Sequence, residues 1–101
     1  MDEGVLKTLL KTTGLPVAYH HFVTPPIPPY IVYLFSYSSN FGADNKVYKE
    51  NPNYQVELYT KKKDPASELL IESLFAENDI YWEKTEAYIE SESLYQVLYE
   101  I

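Results

Sequence analysis

The stretch TPPIPPYIVYLFSY, from Thr24 to Tyr37, decides the fold of this chain. Its four prolines fall within five residues. Because each proline fixes φ and biases the preceding residue towards extended backbone, this segment cannot be helical. The six apolar or aromatic residues from Tyr30 to Phe35 follow at once. The pattern predicts a stiff entry into a β-strand that is apolar on both faces, and such a strand must be covered on both sides.

Apolar periodicity and turn residues divide the rest of the chain into helices and strands. Helices are predicted over Asp2–Thr13 and Asp64–Asn78, since apolar residues recur there every three or four positions. Extended segments are predicted in the following places: Val17–Phe22, Tyr30–Ser38, Tyr54–Thr60, Ile80–Glu90 and Leu94–Ile101, with Lys46–Glu50 also strand-like. The chain therefore has the order α-β-β-β-α-β-β and is predicted to be a single α+β domain over residues 1–101.

The simplest architecture is one mostly antiparallel sheet of four or five strands with both helices on one face. Two helices cover only one side of a sheet, so the other face is expected to present tyrosines and leucines to a partner. A second copy of the chain is the expected partner, with interface candidates on the strands and in the loop after Ser38: Tyr30, Tyr33, Tyr37, Phe41, Leu94 and Leu98. A strongly curled sheet that closes on itself is the alternative.

Two segments carry more specific expectations. The helix over Asp64–Asn78 begins at an Asp-Pro pair, which suits an N-cap and the first helical position. Its predicted core stripe is Leu70, Ile71, Leu74 and Phe75, with Glu68 and Glu72 facing outwards. In the segment Ile80–Glu90 the apolar residues change parity, so either a bulge lies near Thr85 or the two ends of the strand are apolar on opposite faces.

Charge and composition narrow the classes of function. The chain carries a net charge of −7, has no Cys, and all eight of its cations are Lys. The excess of acids falls after residue 50. A nucleic-acid surface usually clusters Arg with Lys, so direct nucleic-acid binding is not expected. The N-terminus lacks a signal-peptide pattern, and the longest apolar run is far shorter than the ~20 residues that span a bilayer, so no membrane role is expected.

No catalytic or cofactor site is expected from the residues. His20 and His21 are the only adjacent metal-ligand pair, but neighbouring strand residues point to opposite faces. The carboxylates Glu83 and Glu86 could perform acid–base work. They lie in an acidic run without other catalytic elements, so a solvated or docking surface is the simpler interpretation. With three glycines in all, the chain has no Gly-rich phosphate loop.

The two irregular segments each have a structural and a functional interpretation. The prolines from Pro25 to Pro29 could bind an SH3-like groove, but they lack a flanking Arg and sit where a strand needs a rigid entry. The loop from Ser38 to Asn53 is the longest link in the chain. Because long loops in compact domains are often functional, it either reaches a neighbouring subunit through Phe41 or forms a hairpin end.

Four segments together resemble a known family. They are GLPVAY (Gly14–Tyr19) followed by PPYIVY (Pro28–Tyr33), then YQVELYT (Tyr54–Thr60) with a Lys-rich turn and a helix, and finally YQVLYEI (Tyr95–Ile101). In this order they resemble small tail-completion proteins of long-tailed bacteriophages and prophages of Gram-positive hosts, the tail terminators and head–tail joining proteins. The likeness covers nearly the whole chain and consists of strand patterns rather than catalytic motifs.

The resemblance implies a structural virion protein of the phage neck. Such proteins form oligomeric rings, commonly hexameric, that complete the tail and meet the tail tube and the head connector. It implies an α+β fold, assembly in the cytoplasm of the bacterial host, no enzymatic activity and no cofactor. An alternative is a small acidic inhibitor that mimics DNA with its C-terminal carboxylates. A third hypothesis is an enzyme that uses Glu83 or Glu86.

Overall fold

Over the residues that it describes, the computed structural model has two helices and one mixed five-stranded sheet, which confirms an α+β fold. It describes residues 1–43, 45–49 and 51–101, without the side chains of residues 41, 43, 48 and 49. The helices are α1 (Glu3–Lys11) and α2 (Pro65–Glu77). The strands, in chain order, are β1 (Val17–Tyr19), β2 (Tyr30–Ser38), β3 (Phe41–Ala43), β4 (Lys46–Lys49), β5 (Pro52–Thr60), β6 (Glu83–Ile89) and β7 (Leu94–Glu100).

The main sheet has the strand order β1-β2-β5-β7-β6, and β3 and β4 form a separate two-stranded hairpin. β1 and β2 are parallel, whereas the other neighbours in the main sheet are antiparallel. The expected mostly antiparallel sheet is therefore confirmed. Because β1 and β6 lie at its two edges, the sheet is open, and the alternative of a sheet closed on itself is wrong.

Local signals in the sequence place α1. The Asp2 carboxylate caps the helix by accepting from the Val5 N–H at 2.9 Å. Leu6 and Leu10 are fully buried against the sheet, as their spacing of four residues predicts. Beyond the last turn, Gly14 has φ 82°, a left-handed conformation that glycine adopts without steric cost.

The start of α2 is also as predicted, but its orientation about its axis is not. The Asp64 carboxylate accepts from the Ser67 N–H at 3.1 Å, and Pro65 opens the helix. Glu68, expected to face outwards, is only 4% exposed, while Leu70, expected in the core, is 46% exposed. The physical reason is that Lys63 and Lys84 both bind the Glu68 carboxylate and so compensate its burial.

One hydrophobic core lies between the helices and one face of the sheet. It combines alternate residues of the three central strands with the inner sides of both helices: Leu6, Leu10, Ile31, Tyr33, Tyr54, Val56, Leu58, Ile71, Leu74, Phe75, Val97 and Tyr99. Each large aliphatic or aromatic side chain buried there contributes about 1.5–3 kcal/mol. Both helices therefore lie on one face of the sheet, as expected.

The opposite face of the sheet, called the open face below, is partly covered by the chain itself. The segment 20–29, called the proline segment below, connects the parallel strands β1 and β2. Its Phe22 ring packs edge-to-face on Tyr30 at 5.3 Å. Tyr30 in turn stacks on Tyr59 at 5.2 Å. As a result Tyr30 and Val32 are 7% and 4% exposed, although no helix covers them. The proline segment is thus a cover as well as an entry to the strand.

Some predicted boundaries are wrong in informative ways. The first strand ends at Tyr19 rather than Phe22, because His20 has φ 67° and turns the chain away. The segment after Ser38 that was predicted to be a turn contains β3, and the predicted strand Lys46–Glu50 corresponds to β4. Two residues of these predicted segments, Asp44 and Glu50, lie outside the described residues. The register is continuous over Glu83–Ile89, so there is no bulge near Thr85.

Candidate assembly surface

The open face is defined by the register of the strands. One row across it reads Val32, Glu57, Leu98 and Thr85, and the next reads Tyr30, Tyr59, Gln96 and Ala87. Each row mixes apolar and polar side chains. The face is therefore amphipathic, a composition typical of subunit contacts that also meet water.

A hydrogen-bonded group lies in the middle of this face. The Tyr59 hydroxyl donates to Glu57 Oε1 at 2.9 Å and accepts from Gln96 Nε2 at 2.8 Å. Burial and the neighbouring Glu57 carboxylate raise the pKa of Tyr59. These contacts join three side chains of β5 and β7 into one hydrogen-bonded group on the open face.

The most exposed apolar side chains of the described chain lie in the proline segment. Val23 and Ile27 are 95% and 85% exposed. Val47, on β4 at the other end of β2, is 61% exposed. Since β2 is about 27 Å long at about 3.3 Å per residue, these apolar tips lie far apart on a molecule with extents of 49 × 29 × 23 Å. Apolar groups presented at both ends favour contacts with other protein molecules.

A concave surface adjoins the proline tip. It encloses about 510 Å³ between the proline segment, the loop after β5 and the β6–β7 turn. Its lining combines apolar rings with two lysines and one carboxylate: Pro25, Pro26, Pro28, Tyr30, Lys61, Lys62, Tyr88, Glu92, Ser93 and Leu94. This cleft is large enough to receive several side chains of another protein.

The interface candidates from the sequence are dispersed by the fold. Tyr33 is 1% exposed, and its hydroxyl donates to Glu3 of α1, so its ring belongs to the core. Tyr30 lies beneath Phe22, whereas Tyr37 is 58% exposed at the far end of β2. Leu94 and Leu98 are half-buried on the open face, and the Phe41 side chain lies outside the described residues. Tyr37, Leu94 and Leu98 therefore remain accessible candidates.

The two histidines do not have the arrangement expected of strand neighbours. Because β1 ends at Tyr19, the rings of His20 and His21 meet edge to face, with their Nδ1 atoms 3.1 Å apart. This distance suits one hydrogen bond between a protonated and an unprotonated Nδ1. Among the described residues, no third His, Cys, Asp or Glu joins them in a group that could hold a metal ion.

The candidate catalytic carboxylates have structural partners. Glu83 accepts from the Tyr81 hydroxyl at 2.8 Å, and Glu86 pairs with Lys63 at 2.6 Å. Lys63 also forms an ion pair with Glu68, and Lys84 binds the same Glu68 carboxylate at 3.0 Å. These ion pairs link α2 to β6 across the helix side of the sheet. They tie the edge strand to the helix side and compensate two of its charges, Lys84 and Glu86.

Four exposed apolar residues were not among the candidates predicted from the sequence: Val23 and Ile27, and Tyr81 and Tyr88 near the edge strand. Tyr81 and Tyr88 are 78% and 50% exposed. Two signals were available in the sequence. Ile27 lies between prolines, which keep the backbone extended, and Tyr88 lies in a strongly charged strand, which is typical of a sheet edge. Among the described residues, no helix is long and apolar enough to cross a membrane.

Comparison with protein families and with curated proteins adds no relative. No protein-family model matches the chain, and no curated protein matches it significantly. Function must therefore be inferred from the fold, the exposed surfaces and the resemblance of the strand segments.

Proposed function

We propose that this chain is a structural subunit of the bacteriophage neck, which assembles into a ring that completes the tail or joins it to the head. The observation that carries the proposal is the pair of exposed apolar ends on an elongated α+β subunit. Val23 and Ile27 lie at one end and Val47 at the other. A subunit with a contact surface at each end can associate head to tail, and a head-to-tail contact closes into a ring when its rotation permits.

The state of the polar residues supports a role without catalysis. His20 and His21 bond to each other, and Glu83 and Glu86 bond to Tyr81 and Lys63. A general acid or base needs an accessible proton and a suitable neighbour. Here the candidate groups are engaged in contacts within the chain, which favours a structural role over the enzyme hypothesis.

The net charge suits a ring that surrounds a DNA passage. The chain carries a net charge of −7. In its one run of three lysines, Lys61–Lys63, Lys63 forms ion pairs with Glu68 and Glu86. A negative surface repels the phosphate backbone and lets DNA pass without binding. The same charge would serve a DNA-mimicking inhibitor, so charge alone does not separate the two functions.

Deletion of the gene from the phage or prophage that encodes it tests the proposal. Negative-stain electron microscopy of the resulting particles is expected to show filled heads beside unattached tails. Overlong tails would identify a tail terminator, and tails of normal length a head–tail joiner. Intact, infectious particles would contradict a neck role and favour the acidic inhibitor.

Complementation of the deletion can test the apolar tip. A chain with Val23→Ser and Ile27→Ser should fold normally, because both side chains are almost fully exposed, yet fail to restore infectious particles. The matched control is Leu69→Ser with Leu70→Ser, which removes two exposed apolar side chains from α2 instead. Full complementation by the tip variant would show that the proline tip has no part in assembly.

A further inference from the structure

We propose that the outer edge of β6 pairs antiparallel with β6 of a second copy of this chain, about a two-fold axis that passes at Thr85. This contact goes beyond the proposed ring. A two-fold contact is satisfied after two copies and cannot by itself build a ring, so it defines a dimer with its own surface.

The outer edge of β6 is available for pairing. β6 is the last strand of the main sheet and pairs only with β7 among the described residues. Six of its seven residues are exposed. An edge strand presents unpaired N–H and C=O groups, which another strand can satisfy. At seven residues, β6 is also longer than the opposite edge strand, β1, which has three.

Charged side chains often protect an edge strand from pairing, but two of those on β6 are bound within the chain. Lys84 lies 2.8 Å from Glu72 and 3.0 Å from Glu68, and Glu86 lies 2.6 Å from Lys63. These charges are therefore compensated within the chain on the helix side of the sheet. They do not present a uniform repulsive row to an approaching strand.

The sequence of β6 is complementary to itself in one antiparallel register. With the axis at Thr85, Lys84 lies opposite Glu86 of the second copy, and Glu86 lies opposite Lys84 of that copy. The neighbouring registers, centred on Lys84 or Glu86, set like charges directly opposite each other. Because opposite charges across a strand pair are favourable and like charges are not, the sequence selects the register centred on Thr85.

The same register covers exposed aromatic groups. It brings Tyr88 of β6 level with Trp82 of the second copy, and Ile89 level with Tyr81, two residues that immediately precede the strand. Tyr88 and Tyr81 are 50% and 78% exposed in the single chain. Aromatic cross-strand pairs are among the more favourable pairs in antiparallel sheets. Thr85 meets its own copy, and Glu83 meets Ala87.

Disulfide cross-linking tests this register directly, because the natural chain contains no Cys. In a Thr85→Cys variant the two cysteines would be directly opposite, with Cα atoms about 4.5–5.5 Å apart, which a disulfide can span. Mild oxidation with oxidised glutathione should give a covalent dimer on a non-reducing gel, and a reductant should remove it. Thr85 is exposed, so the variant should fold.

Matched controls lie on the same face of the same strand. Glu83→Cys and Ala87→Cys should each cross-link at least tenfold more slowly than Thr85→Cys, because neither residue lies opposite itself. An equal mixture of Glu83→Cys and Ala87→Cys chains should cross-link to each other. Fastest cross-linking of Ala87→Cys alone would contradict the register, and equal slow rates for all variants would contradict the dimer.

Sedimentation velocity of the unmodified chain provides a second measurement. We expect a concentration-dependent monomer–dimer equilibrium that Glu86→Lys shifts towards monomer, since Lys would then face Lys84 of the other copy. A chain that stays monomeric at every concentration would overturn the proposal. Neither result depends on a phage neck role, so a failure here is distinguishable from a failure of the proposed function.

Discussion

At the scale of single residues, Glu68 is the most consequential side chain of the fold. Its carboxylate is 4% exposed and lies between Lys63 at 2.7 Å and Lys84 at 3.0 Å. Burial opposes ionisation of this group, but the two lysines outweigh it and lower its pKa. The charge is therefore kept in the folded state, and the link between α2 and β6 depends on it.

Replacing Glu68 with Gln should lower the free energy of unfolding by about 1–2 kcal/mol. The cost is below that of a fully buried ion pair because both lysines are partly exposed. Urea unfolding at neutral pH measures it. Glu77→Gln, on the exposed side of the same helix, should change stability by less than about 0.5 kcal/mol. Equal effects of the two substitutions would contradict a special role for Glu68.

The same carboxylate should give the protein an acid-sensitive component. A lowered folded-state pKa contributes stability above the ordinary Glu value of 4.5, and this contribution is lost as pH falls through the lower folded-state value. Between neutral pH and pH 5 it should be constant. Below about pH 4.5 the native chain should lose stability more steeply than Glu68→Gln, and parallel pH profiles for the two would contradict the assignment.

The Tyr99 hydroxyl should contribute to stability in a way that is lost at alkaline pH, whereas the contribution of Glu68 is lost at acid pH. Burial, and then the hydrogen bond to Glu72 at 2.7 Å, raise the pKa of its hydroxyl. An unfolded Tyr ionises near pH 10 while the folded one stays neutral, so stability falls as pH rises above 10. Tyr99→Phe should cost about 0.5–1.5 kcal/mol at neutral pH and flatten the alkaline loss, as measured by denaturant unfolding from pH 8 to 11. An unchanged alkaline slope would contradict this.

At the scale of elements, the β3–β4 hairpin depends on Gly42. A Cβ built there would lie 2.4 Å from the Lys46 carbonyl oxygen, which is backbone and cannot move aside cheaply. Gly42→Ala should therefore distort the hairpin. Because the hairpin lies outside the main sheet, global stability should fall by less than about 1 kcal/mol.

Hydrogen exchange can separate a local distortion of the hairpin by Gly42→Ala from a loss of global stability. Amides of β3 and β4 should lose protection, while those of β5 and β7 should keep it. Gly4→Ala is the matched control, since a Cβ there would meet only the Asp2 carboxylate at 3.5 Å. Loss of protection throughout the main sheet in Gly42→Ala would show that the hairpin is part of the folding unit.

The elements that sequence reasoning predicted are those with a local physical signal. Asp2 and Asp64 cap the two helices, and alternation from Tyr54 to Thr60 matches the buried positions of β5. The orientation of α2 was not predictable in this way, because Glu68 becomes buried only when Lys63 and Lys84, from two other segments, converge on it. The ion pairs formed in the folded chain therefore bury Glu68, which the apolar periodicity of the helix had predicted to be exposed.

At the scale of the whole molecule, strand pairing limits what sequence can predict. The parallel pairing of β1 with β2 requires segment 20–29 to cross the sheet, and this crossing places Phe22 on Tyr30. Nothing local in the proline segment encodes that contact. The open face was therefore predicted as bare, while the structure covers one end and leaves Leu94 and Leu98 half-buried. The candidate contact surfaces therefore lie at the two ends of the sheet, whereas the sequence had predicted them at its centre.

The elongated shape and the exposed apolar ends lead to the central proposal, a ring subunit at the phage neck. Gold-labelled antibody against this chain, imaged on particles purified from the encoding phage or induced prophage, tests it most directly. We predict label at the junction of head and tail on intact particles and on the end of free tails or heads. Label absent from particles, with the chain found only in the soluble lysate, would contradict the proposal.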